Sequence, residues 1–144
     1  MNHGREMLVR PYSPADEARV LEIWQTCKLT RPWNNPLKDI ARKLENSPGL
    51  FFVGVVEDQI VATAMAGYDG HRGWVNYLAV HPAYQRNGLG TQIMKVIEER
   101  LLALGCPKIN LQIRTGNTDA MRFYEKLGYS TDAAVSMGKR LIED

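Results

Sequence analysis

A mixed α/β fold, with a mostly antiparallel twisted sheet, helices on both faces and one parallel strand–helix–strand pair, is predicted by three observations on the 144-residue chain. Phe51 to Val56 and Ile60 to Tyr68 are strand-like runs separated by Glu57-Asp58-Gln59, the spacing of an antiparallel hairpin. Trp74 to Val80 is apolar at nearly every position, as suits a central strand buried on both faces. From about Gly88 to Leu104, Leu89, Ile93, Ile97 and Leu101 fall on one helical stripe with Met94 and Leu104 beside them, and Ile109 to Ile113 then alternates with period two. A strand, a crossover helix and a strand in that order make the two strands parallel.

The remaining elements follow from local chemistry. Met7 to Arg10 reads as a short strand. Ser13-Pro14-Ala15-Asp16 offers a cap, a proline at the first helical position and an acid in the first turn, opening a helix through about Cys27 with Ala18, Leu21 and Trp24 inward. Arg31-Pro32-Trp33-Asn34-Asn35-Pro36 is a loop, and Asn35 can cap a helix from Pro36 to about Asn46 that turns Ile40 and Leu44 inward. Ser47-Pro48-Gly49 ends that helix, and Asp69-Gly70-His71-Arg72-Gly73 links the hairpin to the central strand. Gly105 and Pro107 stop the long helix. A last helix is capped by Asn117 or Thr118, places Ala120, Phe123, Tyr124 and Leu127 on one face and stops at Gly128, with final strands expected beyond it. With no repeat, linker or low-complexity tract, one domain over residues 1–144 is expected.

Composition narrows the function classes. Charged residues are 24%, hydrophobic residues 44% and the formal net charge is +2, so no polybasic stripe for nucleic acid is present. No apolar stretch approaches the roughly 18 residues a membrane helix needs, and Met1-Asn2-His3-Gly4-Arg5-Glu6 lacks the hydrophobic centre of a signal peptide, so a cytoplasmic location with no membrane partner is expected. Cys27 and Cys106 are expected as free thiols. With three scattered histidines and neither HExxH nor CxxC spacing, no metal site is expected.

The most informative segment is Gln85-Arg86-Asn87-Gly88-Leu89-Gly90, at the mouth of the long helix. The first amides of a helix have no intrahelical acceptor, glycines let backbone approach a ligand, and the helix dipole adds about 0.3–1 kcal/mol for a nearby negative group. Arg86 adds a formal charge, so the segment reads as a phosphate cradle. A nucleotide-triphosphate loop needs Gly-Lys-Ser/Thr at its end, but Gly90 is followed by Thr91-Gln92. A dinucleotide fold wants a glycine where Ile93 stands.

What remains, Gln-x-x-Gly-x-Gly opening directly into a helix, resembles the acetyl-coenzyme A loop of the GNAT N-acetyltransferases. The segment Asn117 to Tyr129, with its Asn, Ala, Phe-Tyr and Leu-Gly-Tyr, is similar to the late helix of that family, and the order of elements agrees along the chain. The loop Arg31 to Pro36 together with Tyr68-Asp69-Gly70-His71-Arg72-Gly73 resembles a bacterial YpeA-like subgroup. The resemblance implies a GNAT, or acyl-coenzyme A N-acyltransferase, fold in which the strand ending near Val80 and the one from Ile109 splay apart to admit coenzyme A. It further implies main-chain pairing of the pantetheine arm to Leu78, Ala79 and Val80, and a pyrophosphate held by Gln85, Arg86, Asn87, Gly88, Leu89, Gly90 and Thr91. Asn117 and Tyr124 complete the implied cofactor set, with Tyr124 as the general acid that protonates the departing thiolate.

Many members place a glutamate on or just before the central strand as the base, yet Gly73 to Val80 contains no acid. Asp69, His71 and Glu57 are the substitutes nearby in sequence, and Trp33 is a candidate aromatic wall of the acceptor pocket. The activity implied is transfer of acetyl from acetyl-coenzyme A to a primary amine, the alternative being a noncatalytic acyl-coenzyme A-binding module. The implied partners are acetyl-coenzyme A and an amine acceptor, with a homodimer admitted and with neither nucleic acid nor membrane. The central strand and loop look somewhat like those of enzymes that acetylate ribosomal-protein N-termini; an amino acid, polyamine or aminoglycoside is the other option.

Overall fold

Five strands form one mixed sheet in chain order in the computed structural model, which describes residues 6–144. They are β1 (Leu8–Pro11), β2 (Phe51–Val56), β3 (Gln59–Tyr68), β4 (Gly73–Val80) and β5 (Ile109–Asn110). The helices are α1 (Glu17–Thr26), α2 (Pro36–Asn46), α3 (Leu89–Ala103) and α4 (Thr118–Lys126). The chain divides into two compact units, the first ending at Leu111 and the second spanning Gln112–Asp144. The sheet and α1 to α3 belong to the first, α4 to the second.

Antiparallel pairing runs from β1 through β4, and only β4 and β5 are parallel. The β2–β3 hairpin closes through Glu57 and Asp58, both left-handed at φ 49° and 64°, the geometry whose twist matches that of the flanking strands. Phe51 and Val53 face one side of the sheet, with Tyr12, Val20, Ile23, Trp24 and Ile40 in one buried cluster. Phe52 lies between them in sequence and faces the other side, where the Arg100 guanidinium of α3 sits 5.6 Å over its ring. Leu89, Ile93, Met94, Ile97 and Leu101 are the buried stripe of α3.

Several expectations shift in detail. The first helix starts as a 3-10 turn, Pro14–Asp16, because Asp16 turns its carboxylate back to the Ser13 amide at 2.8 Å and takes a bidentate grip from Arg10 at 2.8 and 3.0 Å. Val20, Ile23 and Trp24 are its buried residues, Leu21 is half-buried, and Ala18 faces water. Leu104, expected beside the α3 stripe, lies past the end of the helix and is 56% exposed. The strand expected over Ile109 to Ile113 is confined to Ile109–Asn110, and no strand follows α4, so the final strands are not formed. Val135, Met137, Leu141 and Ile142, the apolar residues of that tail, are exposed. β5 is short because its pairing with β4 covers only Gly73↔Ile109 and Trp74↔Asn110. A side chain at Gly73 would collide with Cys106 Sγ at 2.8 Å and Leu101 Cδ1 at 2.9 Å, so the two strands are pinned there by close packing. Beyond that pin β4 continues from Val75 to Val80 with no sheet partner on its β5 side among the described residues.

Candidate active site

Where α3 begins, the local sequence leaves donors uncommitted. Asparagine caps α2, where Asn35 accepts from the Leu37 and Lys38 amides, and α4, where Asn117 accepts from the Ala120 amide at 3.1 Å. At the cap of α3 stands Gly88, which has no side chain to do this. Gln92 donates the first helical bond, to the Gly88 carbonyl at 3.1 Å, so the amides of Leu89, Gly90 and Thr91 precede the ladder. Gly88 is left-handed at φ 74° and nothing lies within 4 Å of the space beside its Cα, so glycine is required there by conformation and the approach is open. Arg86 is left-handed as well, at φ 68°. Alternating backbone of this kind aims successive amides toward one point, a concavity suited to an anion.

The other side chains of the loop shape it. Gln85 Nε2 donates to the Val80 carbonyl at 2.9 Å, and Asn87 Nδ2 donates to the Tyr84 carbonyl at 3.1 Å. One amide nitrogen ties the loop to the end of β4 and the other bonds the loop's own backbone, which leaves main-chain nitrogens and the exposed Arg86 to face a ligand. Cys27 Sγ donates to the same Val80 carbonyl at 3.3 Å, and burial pushes that thiol's pKa up. The Val80 carbonyl is therefore already engaged; its pairing row on the β3 side is Ala62.

Between Trp74 and Val80 the strand is not regular. The register with β3 shifts between Thr63 and Met65, and Tyr77 is left-handed at φ 54°. A bulge of this kind re-aims the residues around it. The Tyr77 carbonyl accepts from Thr63 Oγ1 at 2.9 Å, and Thr63 in turn accepts from Trp24 Nε1 at 2.9 Å. The Tyr77 ring stacks on Trp24 with centroids 3.9 Å apart, and its hydroxyl donates to Asp39 Oδ2 of α2 at 2.6 Å. Sequence reading passed over this cluster. One signal for it exists: Thr63 is the single hydroxyl inside the otherwise apolar run Ile60 to Gly67, and it is fully buried.

The proposed bases lie on turns. Asp69 accepts from the amides of His71 and Arg72, each at 2.8 Å, and from Trp74 Nε1 at 3.3 Å. The bonds from Arg72 and then His71 hold its carboxyl below the usual carboxylate range, which opposes proton uptake near neutrality. His71 is exposed, and Glu57 is the first residue of the β2–β3 turn. Trp33 is 53% exposed in the loop between α1 and α2.

In the second unit, α4 presents Ala120, Phe123, Tyr124 and Leu127 as its half-buried face, as the spacing predicts. Tyr124 meets Phe123 edge-on at 5.0 Å and Tyr129 at 5.6 Å, and Gly128 at φ 96° ends the helix. Burial pushes the Tyr124 phenol up to about 12. Among the described residues no group of three or more His, Cys, Asp or Glu side chains is arranged to hold a metal ion, and no helix is long and apolar enough to cross a membrane.

Comparison with known proteins agrees with this architecture. The model of the acetyltransferase (GNAT) family matches residues 14–129. An acetyltransferase of Pectobacterium atrosepticum is 45% identical over 138 residues, covering 96% of this chain and 98% of the relative. One from Yersinia enterocolitica is 44% identical over the same shares. Among solved structures, Ard1 from Thermoplasma volcanium superposes with a TM-score of 0.77 at 27% identity, over 88% of this chain and 84% of that one. The fold is shared also with the aminoglycoside N-acetyltransferase AAC(6')-Iy, solved with CoA, at a TM-score of 0.71 and 16% identity over 99% of each chain. With the family model and two relatives each spanning most of its length, the chain is an acetyltransferase belonging to the GNAT family.

Proposed function

We propose that this acetyltransferase moves acetyl from acetyl-coenzyme A to a primary amine by direct attack in a ternary complex, within one catalytic domain. The observation that carries the reading is the mouth of α3, where Leu89, Gly90 and Thr91 amides stand outside the helical ladder behind a left-handed Gly88 with open space around it. A diphosphate suits that donor set, since anions gather where unladdered amides and the positive end of a helix coincide. Residues 85 to 91 would hold it, with Arg86 as the formal charge and Gln85 and Asn87 as braces of the loop.

Acetyl-coenzyme A supplies, when bound, a thioester carbonyl open to an amine and a thiolate able to leave. The length of β4 beyond the Gly73–Trp74 pin has main-chain groups for a pantetheine arm, which carries two amides and resembles an added strand. Leu78, Ala79 and Val80 would provide them, the amide of Leu78 or Val80 donating to the carbonyl oxygen as negative charge builds there. Because the Val80 carbonyl already accepts from Gln85 and Cys27, that residue would contribute through its nitrogen. Asn117 and Tyr124, in the second unit, are assigned to the cofactor by the family resemblance alone, with Tyr124 as the donor of a proton to the leaving sulfur. A phenol raised to about 12 stays protonated across any working pH, as a donor must. General acid catalysis of this kind contributes about 10²–10⁴-fold.

A protein N-terminus and a small-molecule amine both suit this chemistry; one structural neighbour is named an aminoglycoside N-acetyltransferase, and another, the NatC complex, was solved bound to a peptide and CoA. A screen following free thiol release, with peptides and small amines in parallel, decides between them. Replacing Tyr124 with Phe tests its role: turnover falls at least tenfold with acetyl-coenzyme A affinity kept, whereas equal turnover in the variant removes Tyr124 from the chemistry.

A further inference from the structure

The central strand lacks the acid that the reaction asks for, and the fold brings one in from elsewhere. Asp39, in the first turn of α2, reaches the bulge of β4 by accepting the Tyr77 hydroxyl at 2.6 Å. Asp69 is committed to its own turn. Asp39 keeps 26% of its side chain exposed, and Arg42 holds its other oxygen at 3.4 Å. Tyr77 is the residue immediately before Leu78, on the stretch of β4 that runs past its pairing with β5. A bulky residue at φ 54° persists only where its surroundings over-determine it, and three contacts do so here: the Trp24 stack, the Thr63 bond to its carbonyl and the Asp39 bond to its hydroxyl.

We propose that the Tyr77 hydroxyl and the Asp39 carboxylate form the proton-accepting pair for the incoming amine, and that the acceptor arrives as an ammonium ion drawn by that carboxylate. This rests on the acetyl transfer described above. The ammonium nitrogen gives a proton to Tyr77 Oη as Tyr77 passes its own to Asp39 Oδ2, and the freed lone pair forms the bond to the thioester carbonyl carbon; as the carbonyl re-forms and the carbon–sulfur bond breaks, the nitrogen's second proton is lost to the departing sulfur, which leaves as the free thiol. Tyr77 is neutral before and after; Asp39 ends as the neutral acid and returns the proton to water through its exposed side. Tyr77 touches the substrate, and Asp39 acts through it. The ionisable groups around the pair are Arg42 and Lys43 on α2, Cys27 at the cap that ends α1, and Tyr12 in the same packed cluster. Lys43 points away, donating to the Ala66 carbonyl and to Ser47 Oγ.

The test uses the full chain with acetyl-coenzyme A and four probes: spermidine, kanamycin, L-lysine and an alanine-initiated pentapeptide. Thiol release is followed at pH 7 and pH 9.5, with calorimetry of acetyl-coenzyme A binding alongside. Asp39→Asn and Tyr77→Phe should each slow the reaction by about 10²-fold at pH 7. That deficit should shrink at least tenfold at pH 9.5, where the amine sheds its own proton, with KM for acetyl-coenzyme A unchanged and Asp39→Glu restoring part of the rate. A merely structural role gives the same deficit at both pH values, and that result overturns the assignment. So does a wild-type protein that binds acetyl-coenzyme A and acetylates none of the probes. If calorimetry of the wild type detects no binding, the cradle reading fails first and this pair falls with it.

Discussion

At the residue scale, charge and conformation give separable predictions. Gly88→Glu puts a carboxylate at the phosphate cradle and a side chain on backbone at φ 74°, and Gly90→Glu adds the charge within the first turn of α3. Acetyl-coenzyme A at 100 times its Kd stabilises a binding protein by about 2.7 kcal/mol, so the wild type should show a clear rise in Tm that both variants lose; an undiminished rise in both contradicts the cradle. Asp16 tests a different link. Its carboxyl is held below the usual range chiefly by the Arg10 hydrogen bond, so its stabilisation is present above the unfolded carboxylate pKa and is lost as pH falls through the lower folded value. Asp16→Asn should cost about 1–3 kcal/mol at pH 7, and the gap to wild type should close in urea melts taken toward pH 2. Tyr124 has the opposite sign: its phenol ionises near about 10 when unfolded and at about 12 when folded, so stability is intact below the first value and drains away as pH climbs through the second. Tyr124→Phe should remove that alkaline loss in melts between pH 9 and 12.

At the scale of elements, the β2–β3 hairpin, the buried stripe of α3 and the half-buried face of α4 were legible because each depends on a local period, a short turn or a local cap. Asn35 and Asn117 cap as their positions predict, and Gly128 ends α4 in the left-handed region. The working face of β4 was not legible. Its bulge depends on Thr63 bonding the Tyr77 carbonyl, and its acid comes from Asp39, which is 38 residues from Tyr77 in sequence. No periodicity reports a contact of that range. Asp69 shows the converse: proximity in sequence suggested a base, and in the fold its Oδ1 closes an Asx turn and its Oδ2 accepts from the Trp74 indole. Thr63→Val keeps the shape and deletes the hydroxyl, leaving the Trp24 indole and the Tyr77 carbonyl without their bonds inside the core. We expect a loss of about 1–3 kcal/mol in denaturant midpoints, and a neutral result would mean that the bulge holds without the threonine.

At the scale of the whole molecule, a single domain over residues 1–144 is the proposal, set against two compact units that part at Leu111. All three tryptophans, Trp24, Trp33 and Trp74, lie in the first unit, while α4 lies in the second. Tryptophan fluorescence and far-ultraviolet circular dichroism should therefore melt together if folding is cooperative throughout, and an earlier helix signal would mean that the second unit opens alone. The expectation that failed at this scale was the final strands beyond α4. The apolar residues of that tail, Val135, Met137, Leu141 and Ile142, are present in the sequence but exposed, so they bury no face that would order a strand.

The assignment of function turns on where main-chain nitrogens meet a diphosphate. Titrating the isotopically labelled protein with coenzyme A while following backbone amide resonances tests this most directly. The largest shifts should fall on Gly88, Leu89, Gly90 and Thr91; saturation with those four resonances unmoved and the changes clustered elsewhere would contradict it.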